Sequence, residues 1–319
     1  MQKNRRFQKI LITGVNGSVG SYLFDYLYQK KLNTFGTFRS KKNFQYLSKF
    51  NKKYFIKLDL NNFLKTKKIL KKMKPDLIFH LASNADVRSS FDHPREIIQN
   101  NNNCTLNLLE ACRINGSKAL IVISSTSEVY GDVKTKNINE NNNIAPNNLY
   151  AVSKAFQDLL AQNYHKIFKL NIIITRAFTY LNARRNNLFS SNWAKQIVEI
   201  ERNKKKYLEH GNLHSFRSIM SIEDIIKAYW LTAKKGKVGE IYNIGDGKNI
   251  LLKDFLKKLI KLSNKKILTK VNRKLLRKTD IKKQIPNSNK FKKDTGWKVN
   301  KSLSNILENF LNEIRSDTK

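Results

Sequence analysis

Thr13-Gly14-Val15-Asn16-Gly17-Ser18-Val19-Gly20 is the stretch on which the fold of this chain turns. It follows the short apolar run from Gln8 to Thr13, and a helix is expected to start at Ser18-Val19-Gly20 and reach Lys30. Gly14 permits a tight turn, Gly17 lets the backbone approach a pyrophosphate, and Gly20 lets the helix pack closely on a sheet. The free N–H groups of the helix N-terminus then face the phosphates with a partial positive charge. Three glycines alone say little. At the first strand-to-helix junction of a βαβ series they point to a dinucleotide.

Working outward, strands are expected at Thr34 to Phe38, near Tyr54 to Leu58, at Asp76 to Leu81, at Ala119 to Ser124 and at Leu170 to Arg176. Helices are expected from Phe63 to Met73, from Pro94 to Asn115 and from Leu149 to Phe168. Strands alternating with helices imply a parallel sheet covered on both faces, and the unbroken apolar runs fit that burial. Beyond Arg176 the pattern loosens. A helix at Ile222 to Lys234 and a strand at Ile241 to Gly245 return to the sheet, and the basic stretch from Leu251 onward is mostly helical. The expected fold is therefore α/β: a Rossmann, doubly wound parallel sheet with a smaller, mostly helical C-terminal substrate-binding lobe. Residues 1–177 and 218–247 would form the dinucleotide-binding domain, and 178–217 with 248–319 the lobe.

Composition narrows the class. Of 319 residues, 40% are hydrophobic, and apolar clusters recur along the whole chain, which excludes intrinsic disorder. No apolar run is long enough for a transmembrane helix, and the polar start Met1-Gln2-Lys3-Asn4-Arg5-Arg6 is unlike a signal peptide. Cys104 and Cys112 share one expected helix, which argues against disulfides and a zinc site, and His93, His165, His210 and His214 show no metal-ligand spacing. A soluble, cytoplasmic protein without a metal is expected. The net charge of +38 would suit a nucleic-acid binder. Its lysines are instead scattered among Asn and Ile, as in the run Asn100 to Asn103, which fits compositional drift better. A positive field would still draw in an anionic substrate.

The end of the second strand separates two cofactors. A carboxylate there would bind the ribose hydroxyls of NAD, whereas a basic residue accommodates the extra phosphate of NADP. Thr37-Phe38-Arg39-Ser40-Lys41 has no acid, which favours NADP and leaves NAD as the other dinucleotide the turn admits. Asp59 either reaches the adenine or caps a helix. In Tyr150-Ala151-Val152-Ser153-Lys154 a tyrosine and a lysine lie four apart on one helix face. An adjacent ammonium would lower the phenol pKa and make Tyr150 an acid/base for an alcohol.

Together TGxxGxxG, His80-Leu81-Ala82, Ser124-Ser125-Thr126-Ser127-Glu128-Val129-Tyr130-Gly131 and YxxxK resemble the extended short-chain dehydrogenase/reductases that act on nucleotide sugars. The segment Ser125 to Gly131 is similar to the signature of GDP-mannose 4,6-dehydratases. Arg184-Arg185, Gly211-Asn212-Leu213, Arg217, Asp224 and Ala228-Tyr229-Trp230 extend the likeness. The resemblance implies NADP, a GDP-sugar substrate (GDP-mannose first), and a homodimer or homotetramer. It also implies roles. Tyr150 takes the C4 hydroxyl proton, Lys154 supports it and holds the nicotinamide ribose, Glu128 takes the C5 proton, and Thr126 bonds the C4 oxygen with Ser127 assisting. Glu128 is the discriminating residue, because an epimerase or simple reductase needs no carboxylate there.

The cofactor site so expected comprises Gly14, Asn16, Gly17, Val19, Gly20, Arg39, Asp59, Leu60, Leu81, Ala82, Ser83, Tyr150 and Lys154. Substrate would meet Ser89, Thr179, Arg185 and Arg217, since a diphosphate needs paired guanidinium contacts. His80 is expected to pack beside the cofactor, and Trp193 and Trp230 to belong to the core. Two departures concern the sugar and the base: Phe178-Thr179-Tyr180-Leu181-Asn182-Ala183 replaces the usual Phe-Asn-His-Glu-Ser-Pro, and Arg217-Ser218-Ile219 the usual Arg-Asp-Trp. Ala194 to Ile197 and Gly239 to Gly245 also resemble GDP-4-keto-6-deoxymannose reductases. A reductase, or another nucleotide-sugar epimerase/dehydratase, is thus the alternative enzyme. A basic nucleic-acid-binding or redox-sensing protein on a catalytically silent fold is the alternative from another class.

Overall fold

The computed structural model describes residues 4–135, 137–186, 188–276 and 281–317. Met1, Gln2 and Lys3 of the polar start lie outside them. The first half alternates strands β1 (Ile10–Thr13), β2 (Thr34–Phe38), β3 (Phe55–Lys57), β4 (Leu77–His80), β5 (Leu120–Thr126) and β6 (Ile172–Ala177) with helices. These are α1 (Ser18–Gln29), α2 (Phe63–Met73), the short α3 (Ser89–Asp92), α4 (Pro94–Ile114) and α5 (Leu149–Phe168). Then come α6 (Phe189–Glu201), β7 (Tyr207–His210), β8 (Phe216–Arg217), α7 (Ile222–Lys235) and β9 (Ile241–Ile244). The chain ends with β10 (Ile250–Leu251), α8 (Leu252–Ile260), β11 (Leu268–Val271), β12 (Lys283–Gln284), α9 (Asn289–Thr295) and α10 (Leu303–Asp317).

A seven-stranded sheet runs in the order β3-β2-β1-β4-β5-β6-β9, with every pair parallel. The fold is the Rossmann-like α/β arrangement expected. Period-two alternation sends β1 both ways: Ile10 and Ile12 pack with Leu23, Phe24 and Leu27 of α1 and with α7, while Leu11 packs with Leu108 and Leu109 of α4. Strand order reverses between β1 and β4, so their carboxyl ends open a crevice at the topological switch point. Local chemistry sets the helix starts. Asn62, Asn148 and Ser221 cap α2, α5 and α7 through their side chains, and Pro94 opens α4.

A separate apolar cluster joins α6, α8 and α10 through Trp193, Ile197, Phe255, Leu259, Phe310 and Leu311. Two small sheets, β10-β8-β12 and β11-β7, flank it. The strands β7, β8, β11 and β12 are two to four residues long, too short for alternation to announce them. Phe291 and Trp297 pack into the large sheet's core, so residues 248–319 contribute to both clusters. No described helix is long and apolar enough to cross a membrane.

One buried ion pair ties β5, β6 and α5 together. Arg176 of β6, 2% exposed, donates from Nε and Nη2 to the Asp158 carboxylate of α5 at 2.9 Å each. Ser125 Oγ of β5 donates to the same carboxylate at 2.6 Å, and Arg176 Nη1 reaches the Tyr130 hydroxyl at 2.9 Å. Removing one partner strands a desolvated charge. Arg176→Met should therefore cost about 3–5 kcal/mol of folding stability in chemical denaturation, and a loss under about 1 kcal/mol would contradict this packing.

Candidate active site

The turn after β1 is built by backbone crowding. Gly14 has φ +69°, and a Cβ there would lie 2.9 Å from Ala82 Cα. A Cβ on Gly20 would lie 2.3 Å from the Gly14 carbonyl oxygen. Gly36, which sequence reasoning passed over, is needed because its Cβ would meet the Val15 side chain at 2.4 Å. Gly17 is the N-cap of α1 without a side-chain capping bond, so the helix end presents backbone N–H groups. Val19 is half-buried against the core. Asn16 Nδ2 donates to the carbonyls of Ser40 and Lys42, fastening the loop after β2 to the turn.

Beside the turn, Thr13 Oγ1 meets His80 Nδ1 at 2.8 Å and accepts the Ala82 N–H at 3.2 Å. His80 Nε2 meets Thr105 Oγ1 at 2.9 Å, so both ring nitrogens are engaged. Burial, followed by the Lys154 charge, pushes the His80 pKa down to about 3, which keeps the ring neutral. Leu60 and Ala82 share a small apolar cluster with Leu58 and Cys104, and Leu81 lies against the main core. The Ser83 hydroxyl is buried without a hydrogen-bond partner. A cradle that any Cβ would fill, an uncapped helix end and this orphaned hydroxyl together fit a dinucleotide.

Arg39 Nη1 donates to Asn100 Oδ1 at 2.7 Å, and Asn61 Nδ2 donates to the same oxygen at 3.2 Å. Asp59 Oδ1 accepts from the Asn61 backbone and side chain at 3.0 Å. Asp59 is therefore no helix cap; Asn62 fills that position. Asn101, completely buried within the asparagine run attributed to drift, bonds both the N–H and C=O of Asn84 and reaches Ser153 Oγ at 2.9 Å. It thereby locks the loop after β4 to α5. The run hid it because neighbouring asparagines look alike.

Helix α5 carries Tyr150 and Lys154 to the end of β5, where Thr126 lies. Tyr150, 7% exposed, is hydrogen-bonded to Thr126, and the Glu128 charge acts on its phenol. Glu128 sits on a 3-10 turn, Ser127–Tyr130, and its Oε2 accepts from Asn148 Nδ2 at 3.1 Å. Thr126 links the two residues, its Oγ1 accepting the Glu128 N–H at 3.3 Å while it bonds the Tyr150 phenol. Sequence reasoning missed Asn148, whose only signal was its place two residues before Tyr150.

The expected action of Lys154 on the Tyr150 phenol needs correction. Lys154 Nζ donates to the Ser124 carbonyl at 2.5 Å, and burial lowers its pKa to about 8 against the pull of Asp158. Burial raises the Tyr150 pKa, and the largest opposing charge is the Arg185 guanidinium rather than the Lys154 ammonium. Arg185 bonds the Ala85 carbonyl and the Tyr180 hydroxyl, which places it at the site. Its neighbour Arg184 turns the other way, pairing with Asp25 at 2.9 Å between the rings of Tyr22 and Tyr46. The Ser127 hydroxyl, expected to assist, is buried and donates to Gln284 Oε1 at 3.0 Å. Ser89 Oγ donates to Asp86 at 2.7 Å, which ties it into its own loop. Arg217 is 7% exposed, and its Nη1 donates to the carbonyls of Phe216 and Ile281 at 2.8 Å. Thr179 is half-buried, its carbonyl accepting from Met220. Trp193 is buried, while Trp230 is half-buried against Phe7. No described cluster of three or more His, Cys, Asp or Glu residues has the makings of a metal site.

Lys154 loses its proton at lower pH in the folded chain than in the unfolded one, where the ordinary value is 10.5. Between about pH 8 and pH 10.5 the unfolded state holds more protons, so this group makes stability rise with pH. Wild-type stability measured against Lys154→Met should climb across that window. A difference that stays flat or falls there would contradict the burial of the ammonium.

The family model described as GDP-mannose 4,6 dehydratase matches residues 11–310. A Dictyostelium discoideum protein named dTDP-D-glucose 4,6-dehydratase is 33% identical over 276 residues, covering 80% of this chain and 62% of that protein. The match thus spans less than two thirds of that relative. The GDP-mannose 4,6-dehydratase of Yersinia enterocolitica is 28% identical over 263 residues, covering 78% of this chain and 70% of that protein. Among solved structures, UDP-glucuronic acid 4-epimerase from Bacillus cereus, in complex with UDP-glucuronic acid and NAD, superposes with TM-score 0.86 at 27% identity. That likeness covers 97% of this chain and 99% of the epimerase. With a family model spanning residues 11–310, nearly its full length, the chain belongs to the GDP-mannose 4,6-dehydratase family of the extended short-chain dehydrogenase/reductases.

Proposed function

We propose that the protein is an NADP-dependent sugar-nucleotide 4,6-dehydratase that converts GDP-mannose to GDP-4-keto-6-deoxymannose for deoxysugar synthesis. The observation that supports this reading is the Glu128 carboxylate tied by Asn148 to the start of the helix that carries Tyr150, because epimerisation and reduction need only the phenol. Gly14, Gly17, Gly20 and Ser83 would hold the dinucleotide's pyrophosphate side, Arg39 its 2′-phosphate, and Lys154 its nicotinamide ribose. When bound, the nicotinamide supplies a hydride acceptor that is also the later donor.

The chain's own groups manage the protons. Tyr150 accepts the C4 hydroxyl proton, with Thr126 holding the oxygen and Arg185 offsetting the charge that burial disfavours. A ketone at C4 makes the C5 hydrogen acidic. Glu128 takes that proton, the C5–H electron pair becomes the C5=C6 double bond, and the C6 hydroxyl departs. The proton now on Glu128 completes the departing water, so the carboxylate is regenerated; the C5=C6 bond then takes the hydride at C6 and a solvent-derived proton at C5 by way of Glu128, and Tyr150 returns its proton to solvent. Arg185, Thr179, Ser89 and Arg217 are proposed to meet the sugar nucleotide, with Arg217 first requiring rearrangement of its carbonyl contacts.

Two outcomes follow. Among GDP-, CDP-, dTDP- and UDP-hexoses, mass spectrometry should find loss of water with GDP-mannose, and Glu128→Gln should abolish it while leaving NADP bound. Retained dehydration by that variant would overturn the assignment. Arg39→Ala should weaken NADP binding by about ten- to a hundredfold, the worth of a charge-assisted contact, and NAD binding by less than about threefold. Equal weakening of both in titration calorimetry would assign Arg39 another role.

A further inference from the structure

We infer that Asn148 is a positioning residue for Glu128, joining the two proton-transfer centres through one side chain; the inference rests on the dehydratase reading. Its Oδ1 accepts the Ala151 N–H at 2.8 Å and so caps α5, the helix that carries Tyr150 and Lys154. Its Nδ2 donates to Glu128 Oε2 at 3.1 Å and to Asn147 Oδ1 at 3.2 Å. Asn148 is 9% exposed, so this amide is held by packing as well as by its bonds.

The chemistry of the side chain explains why both ends matter. Serine and aspartate cap a helix about as well as asparagine does. Serine is too short to span from the Ala151 N–H to a second acceptor, and aspartate carries no donor. Only asparagine among the good caps combines a carbonyl oxygen with an NH₂ group. The separation of carboxylate and phenol is thereby set by one planar amide fixed to the first turn of α5. A glutamate on a 3-10 turn would otherwise sample several rotamers, and proton transfer needs one of them. Glu128 abstracts the C5 proton, Tyr150 handles the C4 oxygen, and Asn148 touches neither substrate atom. Loss of the amide donor with the cap retained therefore falls on the C5 step alone.

That selectivity is the test. GDP-4-keto-6-deoxymannose incubated with the NADP-loaded enzyme in heavy water reports Glu128 directly, as deuterium appearing at C5 with no hydride step required. Asn148→Ser should keep the cap, unfold within about 2 °C of wild type and bind NADP unchanged, yet lower C5 exchange about tenfold. Asn148→Asp should keep the cap and lower exchange further, because it sets a second carboxylate against the first. Unchanged exchange in Asn148→Ser would overturn the inference. So would exchange and NADP affinity falling in the same proportion, the mark of a merely structural role. A wild-type enzyme that binds NADP and the keto sugar but exchanges nothing at C5 overturns the dehydratase reading, and this inference with it.

Discussion

Arg176 and Asp158 share two 2.9 Å hydrogen bonds where neither side chain is more than 2% exposed, and the site depends on that pairing. One partner stands on β6 and the other on α5, while Ser125 of β5 bonds the same carboxylate. Parallel strands β5 and β6 thus receive the helix at a fixed height above their carboxyl ends. Tyr150 comes to Thr126 for this reason, and Lys154 comes to the Ser124 carbonyl. A buried ion pair adds little net stability compared with apolar packing. Its use here is geometric, since three elements must agree before both charges are satisfied.

Burial has a second consequence. It pushes Tyr150 up and Lys154 down, so neither charged form is favoured inside the protein. The surroundings contain the remedy in parts: Thr126 bonds the phenol, Arg185 brings a positive charge to it, and Asp158 supports the ammonium.

Local grammar made much of this legible in the sequence. The Gly14–Gly20 turn, the strand series through Arg176 and the α5 register bearing Tyr150 and Lys154 follow from spacing, because each depends on neighbours along the chain. Long-range choices were not legible. Nothing in Arg184-Arg185 says that one guanidinium goes to Asp25 and the other to Tyr180, since their partners come from distant segments. Ser127 points to Gln284, 157 positions away, and no pattern in Ser-Ser-Thr-Ser-Glu reports that bond. Asn101 and Asn148 sit in asparagine-rich surroundings that composition alone dismisses. The lysines behave otherwise: Lys65, Lys68, Lys71 and Lys72 on α2 are exposed and form a solvated face.

The convergence of Tyr150 and Glu128 on one hexose is tested most directly by following deuterium placed at C4 of GDP-mannose through a turnover with a trace of NADP. The label is expected to emerge at C6 of the keto sugar, with hydrogen from solvent at C5 and no dinucleotide consumed. Label returned to C4 with no water lost, or passed to the dinucleotide and left there, would contradict that convergence.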